Sequence, residues 1–190
     1  MEIRLDIPTG KSGDWKIDTF TVDKEHAERF NLGCMLSGNS RYIKEGSYYK
    51  LSRKGYTIMS NTPAEISDHA EFIKKAKGVV LVAGLGLGMV IQGLLDRGNC
   101  SKIVVVEKSE GVINLVGEHY RKKGIEIVHD DIFSYKPSEH FDYAWFDIWG
   151  DICGDNYPQM VKLHRHFRGK ITKMMDWCGY ECKKLNKNGI

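Results

Sequence analysis

Gly84-Leu85-Gly86-Leu87-Gly88 follows an apolar run, Val79 to Ala83, and precedes a helical pattern from Met89 to Arg97. Glycines at such a junction let the backbone turn sharply and let a ligand approach closer than any Cβ would permit. The same loop also arises where only helix–strand packing requires it. The dinucleotide fingerprint G-x-G-x-x-G fails in both registers: started at Gly84 it needs glycine where Met89 stands, and started at Gly86 it needs glycine where Ile91 stands. The tighter G-x-G-x-G suits a ligand without a pyrophosphate. Glu107 ends the next apolar run, Ile103 to Val106, 23 residues after Gly84. A carboxylate there can accept from both hydroxyls of a ribose; the plain alternative is a solvent-facing acid beside Lys108. Asp131 closes a third strand and precedes Ile132 and Phe133, so it can accept from an adenine amino group while they pack on the ring. Asp130 is the neighbouring alternative, and a turn cap is the plain reading of either.

For these groups to meet, strands must alternate with helices. Val79–Ala83, Lys102–Val106, Ile125–Val128 and Tyr143–Phe146 read as strands, with helices over Met89–Arg97 and from about Gly111 to Lys123. That alternation implies a parallel sheet and an α/β fold. Ahead of it, Glu2–Ile7 and Trp15–Val22 alternate as half-buried strands do. Asp23 caps a helix to about Met35 with Ala27, Phe30 and Cys34 on one face. Arg41–Lys44, Tyr48–Leu51 and Tyr56–Met59, separated by Glu45-Gly46 and Lys54-Gly55, predict two successive hairpins. Asn61-Thr62-Pro63 starts a helix lined by Ile66, Ala70 and Ile73. Tyr157 to about Leu185 reads as a last helical stretch, interrupted near Gly169 or Gly179 and without a buried strand. The expected organisation is a β-rich N-terminal extension over 1–60, a Rossmann-like core over 61–156 and a basic helical segment over 157–190.

The run from Val79 through Asp151 resembles the core of class I S-adenosylmethionine-dependent methyltransferases, most closely their spermidine synthase-like branch. In that resemblance Gly84, Gly86 and Gly88 match the first motif, Glu107 the ribose acid, and Asp131 with Ile132 the adenine contact. Phe141 to Asp147 matches the fourth strand, with Asp147 facing the reacting sulfonium, and Thr62-Pro63-Ala64-Glu65 looks like the branch's lead-in. The resemblance implies S-adenosylmethionine as cofactor and a transferase, of methyl in the first place, acting on an acceptor the residues do not identify. Two positions depart from it. Val82 stands where ordinary methyltransferases carry an acid, and Leu87 stands where the branch has the aspartate of G-G-G-D-G, which speaks against spermidine synthesis. The family core has seven strands in the order 3-2-1-4-5-7-6, and four are legible here, as in a C-terminally truncated form. The fourth would then be a bare apolar edge, so the N-terminal hairpins or a second subunit are expected to shield Tyr143–Phe146, and a homodimer follows.

Asp147-Ile148-Trp149-Gly150-Asp151 falls at the carboxyl end of a strand, where parallel sheets bind ligands. Two acids flanking a tryptophan can deprotonate an amine or hydroxyl nucleophile while the ring faces the sulfonium. Asp147 is the candidate catalytic base and Asp151 a secondary one; capping of the strand-to-helix turn is the plain alternative. Methyl transfer itself needs mainly alignment, so few catalytic residues are required. His164, His166, Cys178 and Cys182 match no compact zinc spacing and are crowded by Lys162, Arg165 and Arg168, so no metal site is expected.

The remaining features bound the function class. Five scattered cysteines, an odd number, read as reduced thiols. No apolar run is long enough to span a bilayer, so no membrane partner is expected. Met1 is followed by Glu2 and Asp6 rather than by a basic and then apolar stretch, which points to the cytoplasm. From Lys162 onward there are eight Lys or Arg against two acids, in a chain of net charge +3. Such a face can meet nucleic acid, although a solvated helix surface is the commoner meaning. The competing functions are a non-catalytic S-adenosylmethionine- or nucleoside-binding protein, and other chemistry on the same cofactor such as aminopropyl transfer or sulfonium cleavage. A nicotinamide-dependent oxidoreductase is disfavoured by the failed glycine register.

Overall fold

The computed structural model describes residues 1–39 and 41–188, which form two sheets. The N-terminal sheet is antiparallel: β1 (Gly10–Ser12), β2 (Trp15–Val22), β3 (Gly46–Arg53) and β4 (Tyr56–Ser60) lie side by side in chain order. Helix α1 (Lys24–Leu36) leaves between β2 and β3, and the Asp23 carboxylate accepts from His26 N at 2.7 Å to cap it. Ala27 and Cys34 of that helix are buried, whereas Phe30, expected on the same face, is 46 % exposed. Lys54 and Gly55 both take positive φ, 50° and 86°, as a two-residue hairpin turn that matches strand twist requires. The hairpin expected before it does not form. Arg41–Lys44 carries no strand, and β3 pairs instead with β2, setting buried Ile17 opposite buried Leu51. Glu2–Ile7 is likewise no strand: its alternation buries Ile3 and Ile7 against the core without a ladder.

The second sheet comes from the alternating half of the chain. Helix α2 (Pro63–Lys75), with proline in its first turn, leads into β5 (Gly78–Ala83), α3 (Met89–Arg97) and β6 (Cys100–Glu107). Short α4 (Glu110–Val112), a π-helical stretch Ile113–Gly117 and α5 (Glu118–Arg121) run on continuously. Then follow β7 (Glu126–His129), β8 (Phe141–Phe146), α6 (Asn156–His166), β9 (Ile171–Asp176) and α7 (Gly179–Asn188). All strand pairs are parallel and the order is β7-β6-β5-β8-β9, a Rossmann-like α/β sheet. Its central strands are apolar on both faces because both are covered. Val80, Val82, Val105 and Trp145 face the core shared with α2, α3 and the π-helical stretch; Leu81, Ala83, Val104 and Phe146 face α6. The direction of chain progression reverses between β5 and β8, which places a switch-point crevice at their carboxyl ends.

The last helical stretch expected over 157–185 is therefore two helices with a strand between them. β9 pairs with β8 from Phe141↔Ile171 to Phe146↔Asp176, so the edge expected to lie bare is internal. β9 rather than the hairpins takes that edge, so the bare-edge argument for a homodimer no longer applies. β9 escapes a pattern search because it is itself the sheet edge: of its six residues only Ile171 is buried. Among the described residues no helix is long and apolar enough to cross a membrane.

Candidate functional site

The glycine loop joins β5 to α3 with Gly84, Gly86 and Gly88 all at positive φ. Gly84 N donates to Val106 O at 2.9 Å, and a Cβ on Gly84 would collide with the carbonyl oxygen of Asp147, so the ends of β5, β6 and β8 are drawn tightly together. The two leucines between the glycines turn inward: Leu85 is 3 % and Leu87 0 % exposed. Met59 of β4 lies against Gly86, and its flexible thioether must swing for a ligand to touch the backbone there.

Glu107 ends β6 beside this loop. One carboxylate oxygen accepts from Leu85 N at 2.8 Å and the other from Ser109 N at 2.6 Å. Two anchors fix the plane of the carboxylate and leave each oxygen a further lone pair to offer. Asp131 is held by Lys108 at 2.7 Å and accepts from Phe133 N at 3.0 Å; chiefly the Lys108 ammonium keeps its carboxyl below the ordinary range. Asp130 accepts from Asp131 N and from Ser134 Oγ, so it caps the turn that presents its neighbour. Ile132 is buried in the core and Phe133 is half-buried, and both line the same hollow.

That hollow is a cavity of about 660 Å³ over the carboxyl ends of β5, β6 and β8. The parallel sheet supplies its floor, while Trp15, Leu51, Arg53, Ile58 and Met59 of the N-terminal sheet and Trp177 after β9 supply further walls. Five acidic side chains (Glu65, Glu107, Asp130, Asp131 and Asp147) line it with two cations, Arg53 and Lys108, and even with Asp147 neutral the acids outnumber the cations, which suits a positively charged ligand. Arg53 itself lies over the Trp15 ring at 5.3 Å.

Asp147 sits where β8 ends, its N–H donating to Ala83 O at 3.0 Å. Burial pushes its carboxyl up to about 7, and the nearby Glu65 and Asp68 carboxylates add to the rise. Across from it is His69 of α2, with Nδ1 3.9 Å from Asp147 Oδ2. Burial, helped by the Arg41 cation, brings the imidazole down to about 4. Glu65, one turn earlier on α2, accepts from Ser60 N at 2.9 Å and Ser60 Oγ at 2.5 Å, tying the end of β4 to the helix. Its carboxyl is raised by burial in spite of those bonds.

The structure thus gathers Gly84, Gly86, Glu107, Asp131, Ile132 and Asp147 around one cavity, with Gly88 behind the loop as the residue that opens α3. It does not bring Asp151 there: that residue is exposed, outside the lining, and its carbonyl accepts from Asn156 Nδ2 at 2.7 Å. The tail histidines are occupied elsewhere. His164 pairs with Asp176 at 2.9 Å and His166 Nε2 meets Tyr135 O at 2.8 Å; no group of three metal-type ligands forms among the described residues. Sequence reasoning missed His69, Glu65 and the wall from the N-terminal sheet. The one available signal was the i, i+4 spacing of Glu65 and His69 among the apolar positions of α2.

No protein-family model and no curated protein matches the sequence. Similar solved structures include a dimethyladenosine transferase from Plasmodium falciparum, 21 % identical over 60 % of this chain and 41 % of that one, with a TM-score of 0.45. Coclaurine N-methyltransferase bound to N-methylheliamine and SAH is 18 % identical over 60 % of this chain and 34 % of its own, TM-score 0.45. DhpI, in a complex with SAM and HEP, is 17 % identical over 55 % and 48 %, TM-score 0.44. The chain spans less than half the length of each of these proteins.

Proposed function

We propose that this chain binds S-adenosylmethionine in the cavity at the strand ends and transfers its methyl group to an acceptor. The observation that carries the reading is Glu107, fixed by two amides beside a tight glycine loop and facing a cavity whose acidic side chains outnumber its cations. The residues present fit the cofactor. The volume lies within the range of about 300–1,000 Å³ usual for small-molecule sites, and the acidic lining suits a cation. A dinucleotide fits poorly, because the Leu85 amide that would meet a pyrophosphate already donates to Glu107. When bound, the cofactor supplies an electrophilic methyl on a positively charged sulfur, which departs as a neutral thioether with the C–S electron pair. Glu107 would hold the ribose hydroxyls, Asp131 the adenine amino group and Ile132 the ring face, while Asp147 lies toward the reacting end. The spermidine synthase-like branch is the family we propose on the motifs, but with another acceptor: Leu87, fully buried, offers no carboxylate where that branch meets its amine.

A second reading, nucleoside binding without transfer, is favoured by one observation. Val82 and Leu87, at the positions where relatives carry acids, are both core residues, 1 % and 0 % exposed. Calorimetric titration separates these readings. Wild type should bind S-adenosylmethionine and not NAD, and Glu107→Ala should weaken binding at least about tenfold, since a charge-assisted hydrogen bond is worth about 1.5–3 kcal/mol. Adenosine bound as tightly as the full cofactor would favour the second reading. No binding of S-adenosylmethionine by wild type would sink the first.

A further inference from the structure

Buried polar atoms nearly always have partners, yet His69 Nδ1 and Trp145 Nε1 are enclosed without one. The acid facing Nδ1 is Asp147, and the 3.9 Å between them is too long for a hydrogen bond but short enough for a side-chain rotation to close. The other charged groups around the pair are engaged. On α2, Glu65 is held twice by Ser60, and Asp68 takes both bonds of Arg41 at 2.9 and 3.2 Å. On β9, Asp176 is paired with His164, and Glu107 of β6 is anchored to the loop. The Cys178 thiol, pushed up to about 12 by burial, stays neutral. Asp147 is left with two neutral donors, the Trp145 indole N–H, whose approach works against the rise of its carboxyl, and the imidazole of His69.

We propose that His69 is a positioning residue: when a cation shares the cavity, its Nδ1–H closes onto the Asp147 carboxylate and holds it toward an acceptor bearing N–H or O–H. This rests on the cofactor reading above. With no cation beside them, burial leaves both groups neutral below about pH 7, Asp147 protonated and His69 uncharged. A positive charge beside Asp147 favours its carboxylate, so its proton leaves to solvent, and the new anion needs the donor that His69 carries. As the acceptor's nitrogen or oxygen lone pair bonds to the methyl carbon, the acceptor's proton passes to Asp147. A thioether acceptor, having no proton to lose, would gain nothing from the pair.

Proton counting tests this without knowing the acceptor. Calorimetric titration of wild type between about pH 6 and 8, in two buffers of different ionisation enthalpy, should show proton release with S-adenosylmethionine and none with S-adenosylhomocysteine, which is neutral at sulfur. His69→Leu should move the pH midpoint of that release up by about one unit. His69→Asn, whose amide nitrogen falls near the place of Nδ1, should restore it; circular dichroism melts report whether both variants fold. Equal release with the two ligands in wild type, or one midpoint shared by wild type and the Leu variant, overturns the proposal. A wild type that binds neither ligand overturns the cofactor reading itself, before any variant is made.

Discussion

Tyr120 stands where a Cβ on Gly88 would have to go, and its hydroxyl donates to the Gly88 carbonyl at 3.0 Å. The ring is fully buried and cannot yield. All three loop glycines are in fact crowded by protein: Gly84 by the Asp147 carbonyl, Gly86 by Met59, Gly88 by Tyr120. Ligand approach, the reason suggested by spacing, can then concern Gly86 above all, where the neighbour is a side chain able to move. Gly88→Ala combines a residue forced to φ 77° with a ring overlap. The backbone strain alone is worth about 1–3 kcal/mol, and the overlap adds to it. Gly98→Ala is the matched control, at φ 64° with nothing within 4 Å of the added carbon. Urea denaturation should show Gly88→Ala losing clearly more stability than Gly98→Ala; equal losses would mean that Tyr120 moves aside.

The elements legible beforehand were those whose cues are local. A continuous apolar run, a glycine loop, a helix and a second apolar run ending in Glu107 lie within β5 to β6, and the structure builds them as read. What stayed hidden depends on partners distant in the chain. β9 has too little burial to announce itself and is a strand because β8 offers it an edge. Arg41–Lys44 has strand-like composition, but β2 takes its place beside β3. The cavity wall from β2, β3 and β4 and the approach of α2 to the end of β8 follow from how the two sheets pack, so Trp15 and His69 carried no motif. The edge argument itself gives a prediction for β9. A chain lacking residues 169–188 would leave β8, with Tyr143, Ala144, Trp145 and Phe146 all buried in the intact protein, as an open apolar edge. It should run as aggregate on size exclusion where the intact chain does not; a monodisperse, folded product would show that another segment covers β8.

Across the whole molecule, the pairing of α2 with the end of β8 couples the site to folding through two protons. Folding raises Asp147 from 3.8 to about 7 and lowers His69 from 6.5 to about 4. Between about pH 4 and 6.5 the native pair holds one proton, on Asp147, and the unfolded pair also holds one, on His69. Their opposite linkages cancel, so the pair gives wild type no pH slope in that window. Removing one partner exposes the other. In Asp147→Asn only the unfolded chain takes up the proton that buried His69 refuses, so stability should rise with pH by up to about 1.4 kcal/mol per unit from pH 4 to 6.5, relative to wild type. In His69→Leu the native state keeps a proton that unfolded Asp147 gives up above 3.8, so stability should fall by up to about the same amount per unit from pH 4 to 6.5, relative to wild type. Urea denaturation at several pH values, each variant referred to wild type at the same pH, reads both slopes while the other carboxylates cancel in the difference. Opposite slopes would establish that the two buried groups are neutral together when no cation is bound, the state from which an arriving cation would expel a proton. Parallel curves for all three proteins would mean that both groups titrate as if in water, and that the cavity end at Asp147 is wetter than its packing against Gly84 and Trp145 allows.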